Sequence, residues 1–190
     1  MALKRIMPCL LIQDRRLVKT IKFANPNYVG DPINAVKIYN DKEVDELVLL
    51  DISVTKSNKD IDYELIEDIA SECFMPLAYG GGVKTIEDFK RLYAVGIEKV
   101  IVNTLIFDDP DIVKQAANKF GNQSVVASVD VTRNSDNKFD LYSHSGRENT
   151  FNFEDHLNYI ISLNVGEILI TSVDNEGTWL GYDKELISKV

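Results

Sequence analysis

The chain of 190 residues is short of several things, and each shortage excludes something. It holds two cysteines, Cys9 and Cys73, far apart and without metal-ligand spacing. A disulfide scaffold and a zinc centre are therefore not expected, and the pair reads as buried thiols in a reducing compartment. Cations are also scarce, with 21 Lys and Arg against 30 Asp and Glu for a net charge of −9. Nucleic acid and anionic membranes call for a basic face, so neither partner is expected. No apolar run approaches the ~18 residues of a membrane span. The opening residues lack a signal-peptide layout, since Pro8 breaks their apolar stretch at once. The expected setting is the cytoplasm, and neither a metal nor a cofactor is called for. Against these shortages, 45% of residues are hydrophobic and 27% charged, enough for a substantial core in a soluble chain.

Short β-branched runs alternate with amphipathic stretches from end to end. Ile6–Ile12, Glu46–Ile52, Pro76–Tyr79, Lys99–Val102, Ser124–Val131 and Glu167–Thr171 are near-continuous apolar runs, which suits parallel strands covered on both faces. Helical segments are predicted between them at Pro32–Glu43, Asp62–Glu72, Thr85–Ala94, Asp109–Phe120, Phe153–Leu163 and Asp183–Val190. Thr85-Ile86-Glu87-Asp88 reads as a capping box with Asp88 in the usual Glu or Gln position. One stretch, Lys138–His144, alternates and predicts a small hairpin after the fifth strand. The unit is β-α, six times over. Polar residues gather where the strands end, at Asp51, Gly80-Gly81-Gly82, Asn103-Thr104, Asp130 and Ser172 to Asp174, which is the active side of parallel α/β folds.

An internal echo bears on the architecture. Asp45–Leu50 resembles Gly166–Thr171 at an offset of 121 residues, and Pro8–Leu11 lies over Ser128–Asp130 at a similar offset. Strands 1 and 2 thus recur as 5 and 6, as in a barrel made of two four-unit halves. The expectation is an α/β protein, a (β/α)8 TIM barrel of two half-barrel repeats. Residues 1–190 would form a single barrel domain, C-terminally incomplete with two units missing, about 60 residues short of the ~250 typical of the fold. The natural chain would then be longer.

Arg5-Ile6-Met7-Pro8-Cys9-Leu10, Val18-Lys19, Gly30-Asp31-Pro32, Asp45-Glu46-Leu47, Gly80-Gly81-Gly82-Val83, Asn103-Thr104, Val129-Asp130 and the run from Gly166 through Gly177-Thr178 to Gly181-Tyr182-Asp183 resemble the cyclase subunit of imidazole glycerol phosphate synthase, in order and over essentially the whole chain. That resemblance implies a (β/α)8 barrel forming a heterodimer with a glutaminase subunit, which would dock at the amino-terminal face of the barrel. Ammonia from glutamine would pass through the barrel and be added to a bis-phosphorylated ribulosyl-formimino aminoimidazole carboxamide ribonucleotide. The products would be imidazole glycerol phosphate and aminoimidazole carboxamide ribonucleotide.

The resemblance also assigns roles. Gly81 and Gly82, which follow a strand and precede a helix, and Asn103 and Thr104 would hold one phosphate. Backbone without Cβ can approach an anion there, although three glycines also suit a bare tight turn. Ser172, Asp174 and Gly177 would belong to the second phosphate site, and Lys19 would steer the anionic substrate or order a lid over Thr20–Gly30. Asp130 would be catalytic, one of two carboxylates serving as acid and base. Arg5, Glu46, Lys99 and Glu167 would form the gate through which ammonia enters, against the plainer reading of an exposed salt-bridge ring.

Three positions depart from the family. Leu11 occupies the place of the other catalytic aspartate, Arg15 stands where glycine is usual, and Glu176 where aspartate is frequent. Leucine moves no proton, and general acid–base help is worth roughly 10²–10⁴ in rate. An altered mouth beside a kept entrance implies a paralogue that delivers ammonia to another acceptor, such as a sugar amidated for surface polysaccharide. Two other readings stand beside it: the authentic histidine-pathway cyclase, and a non-catalytic scaffold that activates a glutaminase. Of the remaining candidates, His144 reads as a solvated loop residue, His156 as surface, Cys9 as core packing, and Trp179 as lid or partner surface.

Overall fold

The computed structural model describes residues 4–57, 59–142 and 151–190. Its strands are β1 (Cys9–Gln13), β2 (Arg16–Ile21), β3 (Ala24–Gly30), β4 (Leu47–Asp51), β5 (Leu77–Gly80), β6 (Lys99–Val102), β7 (Val125–Arg133), β8 (Phe139–Leu141) and β9 (Glu167–Ser172). The helices are α1 (Pro32–Asp41), α2 (Val54–Ser57), α3 (Tyr63–Ser71), α4 (Ile86–Ala94), α5 (Thr104–Asp108), α6 (Pro110–Phe120), α7 (Phe153–Ser162) and α8 (Lys184–Ile187).

Local chemistry sets the helix starts. Asp31 and Asp109 each cap a helix whose first residue is proline, the position where a missing N–H costs nothing. Thr85 and Asp88 form the reciprocal capping box over α4, a device worth about 1 kcal/mol. α6 stops at Gly121, whose φ of 95° continues no helix.

Six strands run parallel, and each pairs with its neighbour in sequence: β1 with β4, β4 with β5, β5 with β6, β6 with β7, and β7 with β9. The order never reverses, so the sheet is singly wound. A doubly wound sheet would change direction at a switch point. β2 and β8 add antiparallel to the carboxyl ends of β1 and β7. Among the described residues β9 pairs with β7 alone, so the sheet is open. What stands is an α/β fold with a parallel sheet, consistent with a TIM barrel that is not closed here.

Winding in one direction gives the sheet two different faces. Leu10, Ile12, Leu47, Leu49, Leu77, Tyr79, Val100, Val102, Ala127 and Val129 pack in the large core with the helices. The residues between them form a second, smaller cluster of Val48, Ala78, Ile101 and Val126 with Met7, Leu50 and Leu169. This is the inner face, and it carries the charged residues Glu46 and Lys99 at one end and the Asn103–Asp130 pair at the other.

Several expectations need correction. Thr20–Gly30 is not a loop, because β2 and β3 form an antiparallel hairpin through this stretch. β3 is exposed along six of its seven residues, so no burial pattern announces it. The final helix is short, spanning Lys184–Ile187 only. Cys9 is exposed on the inner face and Cys73 is half-buried, so neither is the core thiol expected. The predicted hairpin at 138–144 is present as β8 against β7, whereas His144 lies outside the described residues.

His156 is the largest reversal. It is 1% exposed, because α7 buries the face holding Phe153, His156 and Ile160, a 3.6-residue stripe into which a histidine has been written. Its ring stacks on Phe107 at 4.8 Å and 3°, and its Nδ1 has no hydrogen-bond partner. Burial pushes its pKa down to about 4. An unfolded histidine protonates near 6.5, so stability is full above that pH and declines as pH falls toward 4. The loss should be on the order of 2–3 kcal/mol, read as a drop in urea midpoint between pH 7 and pH 4.5. His156→Phe should remove most of that pH dependence.

Candidate functional site

The inner face presents two polar layers with an apolar layer between them. At the amino ends, Arg5, Glu46, Lys99 and Glu167 close a four-membered ring. Arg5 Nη1 donates to Glu46 Oε2 at 3.0 Å and Arg5 Nη2 to Glu167 Oε1 at 2.7 Å. Lys99 Nζ donates to Glu46 Oε2 at 2.7 Å and to both oxygens of Glu167 at 3.0 Å. The charges alternate, so every neighbour in the ring is an opposite. Glu46 is 2% exposed and its Oε1 has no partner. Burial works to raise the Glu167 pKa, but the hydrogen bonds and charges of Arg5 and Lys99 prevail and hold it low. The hydrogen bond to Glu167, with its charge, raises that of Arg5. The Glu46–Lys99 side of this ring is buried, whereas the Arg5–Glu167 pair is open to solvent and screened by it.

Behind the ring lies a cavity of about 260 Å³, lined by Arg5, Glu46 and Glu167 and then by Met7, Val48, Ala78, Ile101, Val126 and Leu169. Three of the ring charges thus open onto an apolar lining.

At the carboxyl ends, alternation along β6 and β7 brings Asn103 and Asp130 to the inner face. Asn103 Nδ2 donates to Asp130 Oδ2 at 2.7 Å. The asparagine is turned away from its own helix, and α5, which begins at Thr104, receives no side-chain cap from it. Asp130 is 8% exposed, a carboxylate held by a neutral donor. Leu11 shares this face of β1, since Leu10 and Ile12 point into the helix-side core. It pairs with Leu50 of β4, so an aliphatic side chain sits where a second acid was sought.

Other candidates have structural duties. A Cβ on Gly81 would meet the backbone and side chain of Asp51, and one on Gly82 would meet Val54. The glycines therefore serve close packing against the β4–α2 turn, whatever else they contact. Asp51 Oδ1 accepts from the Ser53 and Val54 amides and the Ser53 hydroxyl, which fixes that turn. Asp174 accepts from Thr132 Oγ1 and the Arg133 amide, tying the segment after β9 to the end of β7. Ser172 Oγ lies 3.5 Å from Asp183. Lys19 is exposed, its Nζ 5.6 Å from the centre of the Trp179 ring.

Arg15 and Asp14 form the two-residue turn between β1 and β2, with φ of 64° and 49°. That is the left-handed geometry glycine adopts freely and other residues adopt at about 1 kcal/mol or more. Arg15 reaches Asp62 at 3.2 Å and Glu64 at 3.3 Å, linking the turn to α3. A cavity of about 320 Å³ opens there, lined by Asp14, Arg15, Asp51, Lys59, Asp60 and Asp62. Lys19, Asn103 and Asp130 take no part in it.

The match to known proteins covers residues 5–190 of the chain, against the family described as histidine biosynthesis protein. The chain belongs to that family. It is 44% identical over 191 residues to a Pseudomonas aeruginosa protein provisionally named imidazole glycerol phosphate synthase subunit hisF2, covering all of this chain and 76% of that one. A Leptospira interrogans protein, provisionally named subunit HisF of the same synthase, is 46% identical over 97% of this chain and 74% of its own length. Subunit HisF of the synthase from Lactococcus lactis subsp. lactis is 41% identical, with 100% and 74% covered. Within its family the chain is a HisF-type cyclase subunit, and so part of an enzyme. Among the described residues no helix is long and apolar enough to cross a membrane, and no cluster of His, Cys, Asp and Glu is arranged to hold a metal.

The ring residues and Asp130 are marked in the sequence, whereas the contacts of Glu176 with the β2–β3 hairpin are not. The ring itself is testable as a unit. Glu46→Ala takes one of two carboxylates from Arg5 and Lys99, which keep Glu167, and should cost about 1–3 kcal/mol in urea unfolding. Adding Lys99→Met should recover much of it, a coupling that a double-mutant cycle measures.

Proposed function

We propose that this chain takes ammonia from a partner glutaminase at its amino-terminal face, passes it along the inner face and adds it to a phosphorylated acceptor at the carboxyl ends. The observation that carries this reading is the sequence of layers: a closed ring of alternating charges, an apolar lining and then the Asn103–Asp130 pair. Ammonia is small and neutral, so it crosses an apolar layer that ammonium, with its desolvation penalty, does not. For anything to pass, one ion pair of the ring must open, which makes Arg5, Glu46, Lys99 and Glu167 a gate. On the same face Ile6 and Phe74 are 69% and 86% exposed, apolar anchors of the kind that a docked glutaminase subunit would cover.

At the other end Asp130 is the acid–base group, with Asn103 orienting its carboxylate. Asn103, Thr104, Gly81 and Gly82 would contact one phosphate, and Lys19, Ser172, Asp174 and Gly177 would form the opposite side of the site. Leu11 supplies no proton, so the acceptor is one whose amidation needs a single carboxylate, and an amidated sugar fits. Relatives provisionally named hisF2, alongside those named HisF, support the existence of paralogues within the family. The authentic cyclase reaction is the second reading, favoured by the names of those relatives.

One assay separates the two. The protein is given ammonium salt and the bis-phosphorylated cyclase substrate, and loss of the substrate's absorbance is followed. The expected result is negligible turnover with substrate still bound, and a gain of roughly 10²–10⁴ on Leu11→Asp. Wild-type turnover abolished by Asp130→Asn would instead establish the histidine reaction and overturn the sugar acceptor. Activation of a glutaminase with no acceptor chemistry at all would leave only the scaffold.

A further inference from the structure

The segment after β9 and the β2–β3 hairpin, more than 150 residues apart, meet in one set of contacts. Glu176 makes three of them. Its Oε1 accepts from the buried Thr20 hydroxyl at 2.7 Å, its Oε2 from the Phe23 amide at 2.9 Å, and its backbone carbonyl from the Lys22 amide at 3.0 Å. The next residue, Gly177, has a φ of 70°, and a Cβ there would run into the Thr20 carbonyl. Two residues further on, Trp179 lies under the Lys19 ammonium at 5.6 Å. Phe23, at the hairpin turn, sets its ring edge-on to Tyr142 at 5.4 Å. Lys19 thus sits next to the fastened Thr20 and over the exposed Trp179 ring.

A carboxylate is well matched to this duty. Both of its oxygens accept, so it satisfies a hydroxyl and an amide together, and a charged acceptor makes the stronger hydrogen bonds. Side-chain length matters as well. Aspartate is one methylene shorter, which works against reaching both donors while its own carbonyl stays on Lys22. The departure at Glu176 therefore has a geometric meaning that the sequence alone did not reveal.

We propose that Glu176 is a positioning residue, a latch that holds the β2–β3 hairpin onto the segment after β9 and so fixes Lys19 at the rim of the carboxyl-end site. That this rim faces an anionic acceptor rests on the proposed function. The latch itself does not.

The test has readouts that need no acceptor. Amide hydrogen exchange of Lys22 and Phe23 should speed up together by about tenfold or more in Glu176→Ala and Glu176→Asp. Thr20→Val, which removes the hydroxyl at nearly unchanged shape, should do the same to a smaller degree. Glu176→Gln keeps the length and one acceptor oxygen and should stay closer to the parent. Trp179 is the single tryptophan, so its emission reports the Lys19 contact. Lys19→Met should alter that emission in the parent and no longer do so in the Glu176→Ala background, which a merely structural role of Glu176 would not produce.

Acceleration confined to Phe23, with Lys22 unchanged, would reduce Glu176 to one local hydrogen bond and overturn the latch. So would unchanged exchange at both amides. Release of the hairpin in a protein that aminates no acceptor would sink the proposed function and leave the latch standing. Turnover in a protein whose hairpin exchange ignores Glu176 would do the reverse.

Discussion

Everything on the inner face depends on a period of two. In each parallel strand one residue enters the core shared with the helices and the next turns to the other side. Because the strands follow one another without reversal, those turned-away residues line up into layers. Lys99 and Ile101 of β6 and Asn103 just after it occupy successive inner positions: ring, apolar lining and Asp130 partner. A single strand and the residue after it thus carry one member of each layer. Slipping its register by one residue would bury Lys99 and Asn103 against helices and turn Val100 and Val102 inward.

This regularity explains why so much of the fold was legible. Runs such as Glu46–Ile52 are apolar on both faces, and a strand of that kind can only be covered on both sides. The ring was legible for a related reason, since Glu46, Lys99 and Glu167 stand at strand starts and Arg5 shortly before one. Elements that depend on other things were not. β3 has no buried face, and its strand conformation comes from pairing with β2. His156 occupies a position that α7 requires to be buried, and hydropathy assigns a histidine to solvent. Nor does the sequence show that Gly81 and Gly82 also pack against the turn carrying Asp51 and Val54. In each case the deciding partner lies elsewhere in the chain.

The three departures from the family now have distinct physical contents. Leu11 changes chemistry, removing a proton carrier from the inner face while fitting beside Leu50. Arg15 changes backbone energetics, accepting a left-handed φ in return for ion pairs to α3. Glu176 changes reach, satisfying two donors on the hairpin with one side chain. All three lie toward the carboxyl ends of the strands, while the charged ring at the amino ends keeps all four of its members.

The singly wound order also bears on how the chain folds. Most of its sheet is built by neighbours in sequence finding each other, which keeps loop-closure entropy small at every step. The exceptions are polar: Arg5 with Glu167, 162 residues apart, and Thr20 with Glu176, 156 apart. Neither contact has anything to fasten until the intervening strands are in place. The ring and the hairpin contact should therefore be the last parts of this chain to become native and the first to be lost, so that both ends of the inner face assemble only on a finished scaffold.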